Sequence, residues 1–271
     1  MGTTVVRHPA VAGRFYSNNP KTLRNDIQSY LGPGAEVVPA LGCVVPHAGY
    51  MYSGHVAGSV YAHLDIPERC IVLCPNHTGI GHPLSIMSHG VWETPLGTVP
   101  IDVELGGALI REFSGLTEDS DAHRTEHAIE VQLPFLQAKR PEFSFVPIAI
   151  GTRDYEALGE LGRVIAEVVT ARSERVLVIA SSDMNHYESD QVTRVKDRKA
   201  IDRILALDPR GLYDVVTTED ISMCGYGPTV AMLTAAKHLG ATKGELVQYA
   251  TSGDVSGDRQ MVVGYAGVVV R

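Results

Sequence analysis

The feature that most constrains the fold is a pattern that occurs three times, a short apolar run followed directly by a polar turn with a histidine. The runs and their histidines are 41–45 with His47, 71–74 with His77, and 176–180 with His186. Short apolar runs bounded by turn residues are typical of buried strands in parallel sheets. Because the carboxyl ends of neighbouring parallel strands meet at one crevice, the pattern predicts a sheet edge that collects the three histidines.

The rest of the chain alternates between apolar runs and helical patterns. Helices are predicted over 154–170 and 190–207, and the last strand over 261–270. This alternation indicates an α/β/α sandwich with a mainly parallel mixed sheet. Since no linker, low-complexity segment or further repeat interrupts the sequence, residues 1–271 are predicted to form a single domain.

Composition and missing motifs argue against several classes of function. The net charge is −8 without a basic stripe, which argues against nucleic acid and anionic membranes as partners. The apolar run 261–270 is too short to span a bilayer. The glycine motifs that bind dinucleotides or ATP phosphates are absent. Four cysteines without a signal-like segment are expected to be free thiols, which predicts a cytoplasmic protein.

The three histidines and one cysteine form a candidate metal site. Cys224 lies in a glycine turn, and imidazole and thiolate groups together suit zinc, iron or copper. Asp183 precedes His186 by three residues and can face the same cavity to orient a ligand or move protons. The alternative interpretation is that the histidines bond separately to the backbone and that Asp183 caps the next helix.

A weaker motif lies in a predicted helix over 126–136. His127 and Glu130 have the H-x-x-E spacing of some zinc hydrolases, and a helix would place them on adjacent turns of one face. The alternative is that Glu126 and Glu130 are solvated helix charges. Pro134 implies a kink or a break in this helix.

Six segments in order resemble the MEMO family over nearly the whole chain. They are R-H-P-A-V-A-G-R-F-Y at 7–16, V-P-H-A-G-Y-x-Y-S-G at 45–54, C-P-N-H-T-G at 74–79, E-H-A-I-E-V-Q-L-P-F-L at 126–136, S-S-D-M-N-H-Y at 181–187 and M-C-G-Y-G-P at 223–228. The resemblance implies a LigB-like fold, that of the class III extradiol dioxygenases, which are non-haem iron enzymes that act on catechols. It also implies that His47, His77 and Cys224 bind the metal. Those dioxygenases use two histidines and a carboxylate, whereas the cysteine here offers a softer, oxidisable ligand.

The leading hypothesis is a MEMO family redox protein that binds iron or copper in a dioxygenase-like pocket. Asp183 and His186 would act as acid–base groups, with His127 at the rim. The substrate would be a small molecule or a peptide whose identity the sequence leaves open. The resemblance implies a radical-SAM protein and an AMMECR1-like protein as partners.

Two alternatives stay open at this point. One is a zinc-dependent hydrolase with Asp183 or Glu130 as the base. The other is a binding module without turnover, whose aromatic walls would be Phe15, Tyr16, Tyr50, Tyr52 and Trp92. The polar segment 251–258 is interpreted as a mobile or pocket-covering loop, with Asp254 and Asp258 as candidate pocket carboxylates.

Overall fold

The computed structural model describes residues 5–271, in which strands and helices alternate. The strands are β1 (Val6–Arg7), β2 (Gly42–Val45), β3 (Arg69–Pro75), β4 (Leu84–Ile86), β5 (Val91–Thr94), β6 (Gly97–Pro100), β7 (Thr117–Glu118), β8 (Ser144–Ile150), β9 (Val176–Ser181), β10 (His186–Glu188), β11 (Gly244–Thr251) and β12 (Val262–Val270). The α-helices are α1 (Pro20–Leu31), α2 (Tyr50–His63), α3 (Val103–Glu112), α4 (Leu133–Lys139), α5 (Tyr155–Thr170), α6 (Asp190–Leu205), α7 (Pro209–Thr218), α8 (Tyr226–His238) and α9 (Gly253–Ser256). Among residues 5–271, no helix is long and apolar enough to cross a membrane.

A large mixed sheet runs through the molecule. Its central strands lie in the order β2-β9-β3-β8, and every pair among these four is parallel. Antiparallel strands extend both sides, with β12 beside β2 and β4 beside β8. In a separate small sheet, β5 pairs with β1 in parallel and with β6 antiparallel, so that residues 91–100 form a hairpin.

Each central strand divides its side chains between two hydrophobic cores. On β3, Ile71 and Leu73 pack with α5 and α8, whereas Cys70, Val72 and Cys74 pack with α1, α2 and α4. This alternation is the two-residue period of a strand that is buried on both faces. Helices therefore cover both faces of the sheet, and the predicted α/β/α sandwich with a mainly parallel mixed sheet is confirmed.

The predicted helix over 126–136 is wrong in its first half. Residues 130–132 form one turn of 3-10 helix, and α4 begins only at Leu133. Pro134 lies in the first turn of α4, where its missing N–H needs no helical acceptor. The segment before this turn is irregular because Glu126 and Glu130 turn inward, and both are fully buried rather than solvated.

Glu130 holds the N-terminal segment against the body of the protein. Its carboxylate accepts the Ala10 and Val11 backbone N–H groups at 2.8 and 3.0 Å, and the Tyr16 hydroxyl at 2.6 Å. It also pairs with the buried guanidinium of Arg7. One buried carboxylate, whose oxygens all have hydrogen-bond or ion-pair partners, therefore fixes the N-terminal segment on the body.

The close contact between α1 and α2 can be tested by adding a methyl group at the contact. A Cβ at Gly58 would lie 2.4 Å from the Tyr30 carbonyl oxygen. We expect Gly58→Ala to lower the free energy of unfolding by about 1–3 kcal/mol, because backbone must move. Gly159→Ala is the matched control, since nothing lies within 4 Å of its added Cβ, and it should stabilise α5 by up to about 1 kcal/mol. Urea titration measures both changes, and equal effects would contradict the packing argument.

Candidate metal centre

Three neighbouring strand ends carry the candidate site. β2, β9 and β3 lie side by side, and the chain just beyond them carries His47, Asp183 and His77 in that order. Cys224 lies in the loop before α8 and reaches the same edge. The strand ends therefore bring these residues together at one sheet edge, as the repeated pattern predicts.

The donor atoms of three predicted ligands lie close together. Those of His47, His77 and Cys224 are all within 4.8 Å of one another. The Cys224 sulfur is 3.2 Å from His47 Nε2, and the His47 and His77 ring centroids are 5.1 Å apart. Ligand atoms around a tetrahedral zinc-sized ion are roughly 3.3–3.8 Å apart, so small side-chain movements would suffice to bind one ion.

Ser181 fixes the protonation of the His47 ring. Its hydroxyl donates its one proton to the Ala128 carbonyl oxygen at 2.6 Å. The Ser181 oxygen therefore accepts from Gln132 Nε2 at 2.8 Å and from His47 Nδ1 at 3.0 Å. Burial lowers the pKa of His47 well below its ordinary value, so the ring is neutral. Its proton lies on Nδ1, and the Nε2 lone pair faces Cys224.

The buried carboxylate of Glu126 orients the His77 ring as Ser181 orients the His47 ring, by accepting the Nδ1 proton. Glu126 accepts the His77 Nδ1–H at 2.9 Å and the Ala128 backbone N–H at 2.9 Å. Burial by itself raises the pKa of Glu126, but these bonds and the neighbouring histidines lower it to about 2. Burial by itself lowers the pKa of His77, but the hydrogen bond to Glu126 outweighs burial, so the pKa of His77 is raised. Because Nδ1 is engaged, Nε2 of His77 is left for the cavity.

Asp183 and His186 border the ligand atoms, and backbone groups hold both side chains. Asp183 Oδ1 accepts the His47 and Ala48 backbone N–H groups at 2.8 and 3.3 Å, and its other oxygen lies 4.0 Å from His47 Nε2. Burial raises the pKa of Asp183. His186 donates Nδ1–H to the Ser222 carbonyl oxygen at 2.7 Å, which leaves its Nε2 free.

His127 lies against His77 at the rim. Their rings stack with centroids 4.8 Å apart, and the His127 ring also contacts Phe15 at 4.8 Å. His127 Nδ1 is 3.4 Å from the Glu126 carboxylate, and burial lowers the pKa of His127. His77, Glu126 and His127 form a second close group of possible metal ligands, but its carboxylate is already used by hydrogen bonds.

Cys224 is a protonated thiol in this arrangement. Its sulfur lies 3.2 Å from the lone pair of His47 Nε2 and 3.7 Å from the Asp183 carbonyl oxygen. Burial, and then the nearby Asp183 charge, raise the pKa of the thiol. A metal ion at this point would replace the thiol proton, because cysteine binds metals as the thiolate.

All the predicted site residues line one cavity of about 520 Å³, with Phe15, Tyr187 and Val263 also in its wall. The six predicted residues are His47, His77, His127, Asp183, His186 and Cys224. Sequence reasoning missed the residues behind them, namely Ser181, Gln132 and Glu126. The adjacency of Glu126 to His127, and of Ser181 to the end of a strand, was the only available signal.

Several residues proposed from the sequence lie elsewhere. Glu130 is not available as a base, because Arg7, Tyr16 and two backbone N–H groups saturate its carboxylate. Of the five aromatic residues expected in the pocket wall, Phe15 alone lines this cavity. Tyr16, Tyr50 and Trp92 are buried in the protein, and Tyr52 lies outside the lining.

The segment 251–258 does not line this cavity. Asp254 pairs with Arg194 and Arg259 at 2.9 Å each, and Asp258 accepts the Gln260 backbone N–H at 2.8 Å. The short helix α9 lies within this segment. The prediction that Asp254 and Asp258 are pocket carboxylates is therefore wrong, because ion pairs and a turn engage them elsewhere.

Comparison with known proteins decides the family. The profile described as Memo-like protein matches residues 7–269. The chain belongs to the Memo-like family. A MEMO1 family protein of Methanothermobacter thermautotrophicus is 44% identical over 276 residues, covering 97% of this chain and 99% of that protein. Another, from Methanopyrus kandleri, is 46% identical over 279 residues, covering 98% and 99%. The membership predicted from the six segments is confirmed.

A solved structure supports the fold of this Memo-like chain. The crystal structure of an uncharacterized protein from Escherichia coli K12 matches with a TM-score of 0.52 and 13% identity. The match covers 84% of this chain and 98% of that one. At this identity the likeness concerns the fold alone, and it is consistent with a LigB-like architecture.

The Glu126 contacts predict a pH-dependent stability. Because the pKa of Glu126 falls from 4.5 to about 2 on folding, its contribution is present above pH 4.5 and is lost as the pH falls towards 2. Glu126→Gln should lower the free energy of unfolding at pH 7 by on the order of 3 kcal/mol, and by less at pH 3. Urea titrations at both pH values measure this. Glu112→Gln, exposed on α3, should change little, and an equal loss for Glu126→Gln at both pH values would contradict the assignment.

Proposed function

We propose that this Memo-like protein binds one non-haem iron or copper ion at the sheet edge and carries out redox chemistry on a small molecule or a peptide. The supporting observation is the convergence of the His47 and His77 Nε2 lone pairs with the Cys224 sulfur. Each ring is held by a protein acceptor on Nδ1, which is the arrangement that surrounds metal-binding histidines.

The donor set fits such an ion. Two neutral imidazoles and a thiolate are borderline-soft ligands that suit iron, copper and zinc. With three protein ligands, a four-coordinate ion keeps a position for an exogenous molecule. When bound, the metal would supply a Lewis-acidic and redox-active centre that faces the cavity.

The remaining cavity residues supply proton-transfer chemistry. Asp183 carries a carboxylate whose pKa burial raises, which suits a group that takes up and releases a proton. His186 offers a free Nε2 beside it, because Nδ1 donates to the Ser222 carbonyl oxygen. The contacting rings of His127 and Phe15 form an apolar rim on one side. These roles are assigned to the side chains that border the ligand atoms.

A zinc-dependent hydrolase is the second candidate, because the same donor set suits zinc. Asp183 would then be the base that activates water, since Glu130 is occupied by Arg7 and Tyr16. The binding module without turnover has less support, since Phe15 is the single predicted wall aromatic that lines the cavity. The radical-SAM and AMMECR1-like partners stay predictions from the family resemblance.

The metal content of anaerobically purified protein tests the proposal directly. We expect about one iron or copper ion per chain by elemental analysis, and strong loss in both Cys224→Ser and His47→Ala, because each removes one of three ligands. Circular dichroism should show that both variants stay folded. Zinc lost in both variants would favour the hydrolase, whereas no metal in any sample and no uptake on titration would reject a metal centre.

Ser181→Ala tests whether the hydroxyl behind His47 matters for metal binding. Without its acceptor, the His47 ring is free to rotate or change tautomer, so we expect metal affinity to fall by about 10- to 100-fold. Competition with a chromophoric chelator measures the affinity. Ser59→Ala is the control, because the Ser59 hydroxyl bonds the His55 carbonyl oxygen on α2, at a distance from the site. Equal affinities for wild type and Ser181→Ala would contradict the role of Ser181.

A further inference from the structure

A second cavity adjoins the candidate metal centre on another side. It has a volume of about 610 Å³ and lies between the ends of β3 and β8 and the loop that joins α7 to α8. His77, Ser222 and Cys224 line both this cavity and the first one. These residues therefore form a partition, and an ion held there would be accessible from two directions.

The second cavity differs from the first in carrying a permanent positive charge. Arg153, just beyond β8, is the one lysine or arginine in its lining. Within the described range 5–271, its guanidinium has no acidic side chain within 4.0 Å, although most arginines of this chain do. A guanidinium with unused N–H donors is suited to a carboxylate, because its fork matches two oxygens.

Tyr226 lines the same cavity as Arg153. Burial raises the pKa of Tyr226, and the Arg153 charge opposes that rise. In the part of the chain that the structure describes, the Tyr226 hydroxyl has no hydrogen-bond partner, whereas the Tyr213 hydroxyl donates to the Arg153 carbonyl oxygen at 3.0 Å. The Tyr213 and Tyr226 rings are 6.0 Å apart and give the cavity an apolar wall.

The lining of the second cavity also contains one acidic residue, which limits the negative charge of a ligand that the cavity can bind. Asp220, in the loop after α7, is the one carboxylate in the lining, and its backbone carbonyl oxygen accepts Lys196 Nζ at 2.9 Å. With one cation and one anion in the lining, the cavity suits a ligand group with one negative charge better than a group with two. The Arg153 donors and the Asp220 charge therefore favour a carboxylate over a phosphate.

We propose that the second cavity binds a carboxylate group of the substrate, with the Arg153 guanidinium and the Tyr226 hydroxyl as its donors. The rest of such a molecule extends along the Tyr213 and Tyr226 rings towards the His77 and Cys224 partition. The carboxylate site itself needs no metal. Its part in a reaction rests on the proposed metal centre.

Small carboxylic acids test this site directly. The probes are acetate, succinate and phenylacetate, titrated by calorimetry into metal-free and metal-loaded protein. We expect saturable binding of at least one probe in both forms. Arg153→Gln should weaken it by about tenfold or more, because a charge-assisted hydrogen bond is lost, and Tyr226→Phe should weaken it less. Asp220→Asn should tighten it, because it removes a repelling charge.

The controls separate this inference from the proposed metal centre. Arg111→Gln on α3, also without an acidic partner among residues 5–271, should leave probe binding unchanged, and Arg153→Gln should leave metal affinity unchanged. If wild-type protein takes up no metal on titration but still binds a carboxylate probe, the metal centre is rejected and this site is kept. Absence of saturable binding by all three probes, or equal binding by wild type and Arg153→Gln, would overturn the carboxylate site. Inorganic phosphate that binds more tightly than every probe and loses affinity in Arg153→Gln would overturn the choice of carboxylate.

Discussion

The candidate site depends on where each imidazole places its Nδ1 proton. Ser181, Glu126 and the Ser222 carbonyl oxygen accept these protons from His47, His77 and His186. With Nδ1 occupied, each ring has Nε2 left for the cavity, and the ligand atoms of His47, His77 and Cys224 lie within 4.8 Å of one another. A cation that replaces the thiol proton would be held between these donor atoms. The groups that accept the Nδ1 protons thus determine which ring nitrogens are left to bind a ligand in the cavity.

Buried charges connect this site to the fold around it. Glu126 and Glu130 lie four residues apart and are both fully buried, but they serve different parts of the molecule. Glu126 orients His77, whereas Glu130 accepts four groups of the N-terminal segment and so fixes the strip that carries Phe15. Since an unpaired buried carboxylate is costly, each acid requires its partners to be in place. Residues 126–130 therefore position both the candidate ligand His77 and the wall residue Phe15.

The two cavities on either side of His77 and Cys224 have different chemistry. The first is bounded by imidazoles, Asp183 and the Phe15 ring, while the second carries Arg153 and two tyrosine rings. A molecule anchored by charge in one and reacting at the partition would be held at two separate points, which restricts its orientation. The proposed proton-transfer groups Asp183 and His186 thus lie in the first cavity, and the proposed anchor Arg153 lies in the second.

The sequence by itself indicated the parallel strands and placed His47, His77 and His186 at one sheet edge, because the carboxyl ends of neighbouring parallel strands meet there. Six matching segments indicated the family. Only the tertiary structure decided which groups stand behind these residues. Glu126 and Ser181 carry only a weak local signal, since a glutamate in a predicted helix and a serine at the end of a strand are ordinarily solvent-exposed or capping groups. Their roles arise from burial and from partners distant in sequence, as in the Ser181 bond to the Ala128 carbonyl oxygen. Likewise, the sequence does not show that Glu130 meets Arg7 or that Asp254 meets Arg194, because a local pattern does not identify the cation that a carboxylate meets across the fold.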